Sequence, residues 1–448
     1  MKYFGTDGIR GIVDKALNKI LIKKISNAIL MFYKKHKLNN VLLVGNDSRI
    51  SSDYILSNIE ASLLNHGIQV DNVGVCSSPC LAYICKKYKY PLAMMISASH
   101  NSWEYNGIKF FNSKGEKLSE KYEEEFENFM DSPARRHKVK YAIRKNVENF
   151  KSDYISMLKR LKRFDFPCII DCACGGASEI AKSVFKRQFV INSNFNGYNI
   201  NENAGCTNID LLRFMCIKNH LCGFAIDGDG DRLNIVDEKG NIISGDKILF
   251  ILSKFFQTAN DVLVGTKYTN LGLEYSLNKR RIKLLRSDVG DKKVYHMMKQ
   301  YSSSLGGENS GHIIIKHHTN TGDGILTAII ICNIKEITNL SFDELLRGYQ
   351  EYHQEFLNLK LNTNFSFNDD LKCLIKKYEN EGARIVIRPS GTEPVLRIMV
   401  ENKDEKIAKN IINHLKTSLK RGKINNFKIF LKFLPFYNFY PNEYKYHF

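Results

Sequence analysis

Asp227-Gly228-Asp229-Gly230-Asp231-Arg232 is the segment whose residue types most clearly demand chemistry. Three carboxylates alternate with two glycines directly after the strand-like Phe224-Ala225-Ile226. Like charges this close repel and need a cation, and the glycines allow the curvature that turns all three toward one ion. A solvated acidic turn needs no such alternation. An EF-hand fits the acidic positions, Glu238 included, but Arg232 stands where that loop requires glycine, and Leu233-Asn234-Ile235-Val236 reads as a strand. Hard oxygen donors beside phosphate chemistry point to one Mg²⁺.

Ser97-Ala98-Ser99-His100-Asn101 ends the apolar run Leu92–Ile96 and precedes Asn106-Gly107-Ile108-Lys109. A hydroxyl beside an imidazole, on a loop after a strand, suits a nucleophile or phosphate carrier, although no nucleophile elbow surrounds it. Of the two serines, Ser99, flanked by His100 and closer to Asn101 and Lys109, is the expected carrier rather than Ser97. Arg388-Pro389-Ser390-Gly391-Thr392 combines a guanidinium fork with hydroxyls and backbone N–H groups, a phosphate cradle rather than an ordinary turn. Gly5-Thr6-Asp7-Gly8-Ile9-Arg10-Gly11 is a weaker anion site of the same kind. Glu308, Ser310 and His312 alternate in Gly306–His312, where a carboxylate and a hydroxyl can grip sugar hydroxyls and leave His312 as acid or base.

These segments need elements to hold them. Val41-Leu42-Leu43-Val44 runs into Gly45-Asn46-Asp47, and a helix is expected from near Ser51 with Ile55, Ile59 and Leu63 on one face. Cys168-Ile169-Ile170, Phe224-Ala225-Ile226 and Val262-Leu263-Val264 likewise run into Asp- or Gly-bearing loops. The alternation predicts α/β domains with ligands at the carboxyl ends of strands. Lysine- and glutamate-rich helical stretches around 116–127 and 135–163 place a boundary near 148; polar runs place others near 243 and 360. The expected units are 1–148, 149–243, 244–360 and 361–420, followed by a basic, aromatic tail, 421–448, expected to be dispensable because its spacing fits no clean helical face.

At 448 residues the chain has room for three or four domains, and 43% hydrophobic with 25% charged residues excludes a disordered protein. The net charge of +19 comes from 48 lysines and 18 arginines scattered along every segment, whereas base readout leans on bidentate arginine, so nucleic acid is not the expected main partner. A basic surface that gathers small phosphorylated substrates explains the sign. Eleven cysteines without a CxxC pair read as reduced core thiols. Ile325–Cys332 is far short of the ~20 residues that span a bilayer, and Met1-Lys2-Tyr3-Phe4-Gly5 is no signal-peptide core, so a soluble, cytoplasmic protein is expected.

In this order, the motifs resemble the α-D-phosphohexomutase superfamily, and within it the branch of bacterial phosphoglucosamine mutases; the resemblance runs from Lys2 to about Lys420. It implies four domains around a central active-site cleft, three α/β domains with mixed sheets plus a smaller C-terminal α+β phosphate-binding domain. Glucosamine 6-phosphate and glucosamine 1-phosphate would interconvert through a phosphoserine enzyme and a 1,6-bisphosphate, feeding amino-sugar and cell-wall precursor synthesis. By the resemblance Ser99 carries the phosphoryl group and, with Asp227, Asp229 and Asp231, holds Mg²⁺. Arg10, His100 and Lys109 stabilise the transferring charge, and His312 completes the catalytic set. Arg232, Glu308 and Ser310 meet the substrate, while Arg388, Ser390, Gly391, Thr392 and Arg397 hold the phosphate not being transferred. Small sugar phosphates are the implied partners, a sugar 1,6-bisphosphate the activator, and monomer and homodimer stay open. Alternatives are a sister phosphomannomutase or phosphoglucomutase, and a non-catalytic polyanion-binding relative. Ser102 replaces a usual proline, which would loosen the serine loop; Lys292 replaces a frequent arginine and Asp288 a basic residue.

Overall fold

The computed structural model describes residues 2–133, 141–360, 369–389 and 395–421. The chain forms two compact units, Met1–Tyr352 and His353–Phe448. Three sheets make up the first. β1 (Ile9–Ile12), β2 (Val41–Asn46), β3 (Gln69–Val75), β4 (Leu92–Ile96), β5 (Tyr105–Asn112) and β6 (Arg144–Asn146) lie in the order β1-β5-β4-β2-β3-β6. β7 (Cys168–Asp171), β8 (Phe189–Ile191), β9 (Cys222–Ile226), β10 (Leu233–Val236) and β11 (Ile242–Ile243) form the second, in the order β11-β10-β9-β7-β8. The third is β13-β12-β14-β15, from β12 (Val262–Thr266), β13 (Lys283–Ser287), β14 (Leu305–Gly307) and β15 (Ile313–Ile315).

β4, Leu-Ala-Met-Met-Ile, and β9, Cys-Gly-Phe-Ala-Ile, are buried at every position, because helices cover both faces of a mixed sheet and leave no side for polar alternation. One apolar cluster, which includes Met95, Phe111, Phe224, Leu263 and Leu305, crosses all three sheets. The helix Gly324–Thr338 is buried through twelve consecutive residues, Gly324 to Lys335. That explains its unbroken apolar run as an internal packing element. The helix expected near Ser51 is Ser52–Leu64, with Ile55, Ile59 and Leu63 fully buried.

Two readings change. The helical stretch expected over 135–163 is interrupted: Arg144–Asn146 pairs in parallel with β3, and the helix is Lys151–Leu161. The strand His353–Lys360, β16, given from sequence to the third unit, belongs instead to the last sheet. It pairs antiparallel with β18 (Val395–Asn402) over eight residues, and its Leu357 and Leu359 pack into that sheet's own core. β17 (Arg384–Pro389) completes the order β16-β18-β17. Ser390, Gly391, Thr392 and all but the first residue of the 421–448 tail lie outside the described residues.

Candidate active site

Sheet pairing gathers the first group of site residues. β5 runs back antiparallel beside β4, with Lys109 opposite Met95, and β1 pairs with β5, with Arg10 opposite Gly107. The serine loop at the end of β4 therefore has Lys109 and Arg10 as neighbours although 89 residues separate Arg10 from Ser99. The Ser99 backbone sits at φ +53°, a left-handed conformation costly for a side-chain-bearing residue. Buried Arg49 holds it there, donating to the carbonyls of Ser99 (2.9 Å), Asn101 (2.7 Å) and Tyr105 (3.0 Å) and also to Ser102. Its own charge is met by buried Asp47 at 2.9 Å. The guanidinium thus holds the carbonyl of Ser102 as well as carbonyls on both sides of it.

The two serines diverge because the left-handed backbone at Ser99 breaks the extended run, which would otherwise put residues two apart on one face. Ser97 Oγ donates to Asp47 Oδ2 at 2.5 Å, whereas Ser99 Oγ donates to Asp227 Oδ2 at 2.6 Å. Asp227–Arg232 is the hairpin loop between β9 and β10, closed by the pairing of Ile226 with Leu233. The serine loop lies so close that a Cβ on Gly228 would come within 2.6 Å of the Ser99 carbonyl, which accounts for glycine at that position.

Asp227, Asp229 and Asp231 are buried, and each offers an oxygen within 4.8 Å of the others. Burial, then the charges of Asp231 and Asp229, push the Asp227 carboxyl up to about 8. Asp229 Oδ2 accepts from Lys109 Nζ at 2.6 Å and from Ser78, but Asp229 Oδ1 and Asp231 Oδ1 are buried with no hydrogen-bond partner. Orphaned anionic oxygens in a dry site fit a hard divalent cation. Burial alone would raise Asp229, but Lys109 brings it well below the usual carboxylate range. Burial opposes charge on Lys109 too, yet Asp229 and Asp7 raise it.

Arg10 donates to Asn101 Oδ1 at 3.3 Å and pairs with Asp7. Burial, followed by the charges of Arg232 and Arg10, lowers the His100 pKa to about 3 and so favours the neutral imidazole. Arg232 donates its backbone N–H to Asp227 Oδ1 at 3.1 Å; burial works against its charge, but Asp227 and Asp231 raise its pKa.

Glu308, Ser310 and His312 occupy the hairpin loop between β14 and β15. Glu308 Oε1 accepts from the Gly290 N–H at 3.2 Å and burial raises its carboxyl; Ser310 is exposed. His312 is 2% exposed, and its Nε2 lies 3.2 Å from both the Gly322 N–H and Asp291 Oδ2. A neutral ring can accept from the first and an imidazolium can donate to the second. Burial opposes that positive form, but Asp291 and Asp231 raise the His312 pKa.

Three site-lining residues escaped the sequence reading: Asp7, Lys117 and Asp291. Lys117 Nζ is 2.6 Å from Asp7 Oδ1, 3.6 Å from Asp231 Oδ2, and paired with Asp291. Burial lowers its affinity for a proton, but Asp291, Asp7 and Asp231 bring the pKa well above the ordinary lysine value. Asp7 lay in a motif already marked; Lys117 and Asp291 carry no local signal. Lys292 pairs with Glu123 at 2.5 Å, and Asp288 pairs with Lys267 and, at 3.7 Å, with Lys293. In the second unit, Arg388 and Arg397 are direct cross-strand partners of β17 and β18.

A serine hydroxyl on a three-aspartate loop, carried by adjoining mixed α/β sheets, is the build of a phosphohexomutase, an isomerase of sugar phosphates. The sequence matches the phosphoglucomutase/phosphomannomutase α/β/α domain I over residues 1–137, domain III over 244–352 and the C-terminal domain over 368–417. It is 36% identical to a phosphoglucosamine mutase of Bacillus subtilis, covering 92% of this chain and 97% of that one. With a phosphoglucosamine mutase of Natranaerobius thermophilus it shares 34%, covering 94% and 99%. The chain belongs to the phosphoglucosamine mutase family. In fold it is similar to a phosphoglucomutase/phosphomannomutase family protein of Burkholderia thailandensis, at TM-score 0.76 and 20% identity over 94% of this chain and 98% of that one. It is also similar to an Aspergillus fumigatus N-acetylphosphoglucosamine mutase solved with GlcNAc-6P and magnesium, at TM-score 0.61 and 15% identity over 87% and 85%. No helix among the described residues is long and apolar enough to cross a membrane.

Proposed function

We propose that this chain interconverts glucosamine 6-phosphate and glucosamine 1-phosphate, with Ser99 as phosphoryl carrier. The observation that carries the reading is the 2.6 Å bond from Ser99 Oγ to Asp227, which sets the hydroxyl on the three-aspartate loop while Ser97 is turned away to Asp47. Asp227, Asp229, Asp231 and the Ser99 oxygen would hold one Mg²⁺, which when bound offsets negative charge on the phosphoryl oxygens. Lys109 and Arg10 stand beside the serine and stabilise the same charge as it develops; neutral His100 contributes a hydrogen bond. Glu308, Ser310 and Arg232 orient the sugar, and His312 exchanges a proton with the reacting hydroxyl.

Phospho-Ser99 gives its phosphoryl group to one hydroxyl, the 1,6-bisphosphate turns over, and Ser99 takes back the other phosphate. Arg388 and Arg397, with Ser390, Gly391 and Thr392, are assigned to the phosphate at rest. A trace of sugar 1,6-bisphosphate would prime the serine. Domain limits near 148 and 243 and a cytoplasmic location belong to the same reading; eleven unpaired thiols support the latter.

The test is a coupled assay for glucosamine 1-phosphate with Mg²⁺ and activator, joined to intact-mass analysis. Wild type and Ser97→Ala should carry a fractional phosphate, on Ser99, and turn over. Ser99→Ala should lack the phosphate and most of the activity. Phosphate on Ser97, or a faster reaction with mannose or glucose phosphates than with glucosamine 6-phosphate, overturns the assignment.

A further inference from the structure

Asp231 belongs to two clusters. One is the metal loop; the other is Asp231, Asp291 and His312, whose ligand atoms also lie within 4.8 Å of one another. Two carboxylates and an imidazole are an ordinary donor set for Mn²⁺ or Zn²⁺, and two ions sharing one carboxylate is a common arrangement in phosphoryl-transfer sites. Here Lys109 also lies 3.6 Å from Asp231 Oδ2, and the cation that in addition pairs with Asp291 is Lys117. Its side chain is 8% exposed, and its ammonium reaches Asp231, Asp291 and, at 2.6 Å, Asp7. Those carboxylates come from three sheets: Asp7 precedes β1, Asp231 follows β9 and Asp291 follows β13. An ammonium differs from a metal ion in two useful ways. It cannot leave, and it has no empty orbital to take the Nε2 lone pair of His312, which lies 3.2 Å from Asp291.

We propose that Lys117 is a positioning residue whose ammonium stands in the place of a second divalent ion among Asp231, Asp291 and His312, limiting the site to one metal and keeping the imidazole unligated. The consequence for turnover rests on the acid–base role proposed for His312; the ion count does not.

The experiment counts Mn²⁺ on the full chain by equilibrium dialysis and follows turnover against Mn²⁺ concentration. Wild type and Lys117→Arg should bind one ion. Lys117→Ala should bind two, and Lys117→Ala/Asp291→Asn should return to one. Turnover of Lys117→Ala should fall about 10²-fold with KM changed less than about threefold, and excess Mn²⁺ should inhibit it further, which a merely structural lysine would not cause. If Lys117→Ala folds only with metal, melting should be restored by the second equivalent; failure of that restoration overturns the proposal. Two ions on wild type, or one on folded Lys117→Ala, also overturn it. Wild type inactive on glucosamine phosphates would refute the sugar assignment and leave the ion count as the measure of Lys117.

Discussion

The two clusters that share Asp231 are built on opposite principles. Asp227, Asp229 and Asp231 come from one hairpin loop, so their approach is set by five consecutive residues and two glycines. Asp231, Asp291 and His312 come from two sheets, with Lys117 from a third, and meet only because one apolar core welds those sheets together. Both clusters are buried, and both combine a lysine with unpartnered oxygens: Lys109 bonds Asp229 at 2.6 Å and Lys117 pairs with Asp291, while Asp229 Oδ1 and the shared Asp231 Oδ1 have no hydrogen-bond partner. What differs is how the carboxylates are brought together, by neighbouring residues in the one and by distant segments in the other; in both, the compensating lysine comes from another part of the fold.

Removal of a local ligand should have the largest effect. Asp229→Asn keeps the shape and subtracts one charge, and turnover should fall about 10³-fold with Mg²⁺ binding weakened, as read by activity against metal concentration. Normal turnover with unchanged metal affinity would mean that the loop is not the metal site.

The local cluster also depends on a distant support. Arg49→Ala leaves Asp47 buried and unpaired and frees three carbonyls of the serine loop, so denaturant melts should show a loss of about 3 kcal/mol. A loss below about 1 kcal/mol would show that the loop holds its left-handed serine without help.

A smaller loss is expected in the assembled cluster. Asp291→Asn should lower kcat about tenfold while affinity for the first metal ion stays within about twofold, because the amide no longer offers His312 a charged partner. A metal affinity that moved with kcat would merge the two clusters into one.

The smallest effect concerns the loop that presents Gly322 to His312. Asp323 caps the helix Gly324–Thr338, bonding the Leu326 N–H at 2.9 Å and the Tyr154 hydroxyl at 2.7 Å. Burial raises its carboxyl from 3.8 to about 6, so the folded state holds the proton more tightly than the unfolded chain between those values. The contribution of this group is full below pH 3.8 and is lost as pH rises through about 6. Asp323→Asn should therefore gain about 2 °C in melting temperature relative to wild type between pH 4 and pH 7. A difference independent of pH would refute the buried-acid account.

By itself the sequence determined the strands that end at the site, the three-aspartate loop and the serine loop, whereas the divergence of Ser97 from Ser99 came from the left-handed backbone that the fold imposes at Ser99. The strands and loops are written in consecutive residues, where strand alternation and glycine placement act locally. The sequence also singled out Arg10 and Lys109, which lie on β1 and β5, and Glu308 and His312, which lie in the loop between β14 and β15. Only the tertiary structure sets the surroundings that favour a neutral His100, because burial, Arg232 and Arg10 act on it from positions far away in sequence. Only the fold revealed Arg49 as the brace of the serine loop and moved His353–Lys360 into the last sheet, since strand pairing and buried ion pairs are choices among distant partners. Lys117 and Asp291 are the extreme case. Asp291 sits beside the marked Lys292 but nothing there points to its role, and the partnership of the two residues with Asp7, Asp231 and His312 exists only where three sheets close over one point and the low-dielectric interior makes a buried carboxylate require a cation.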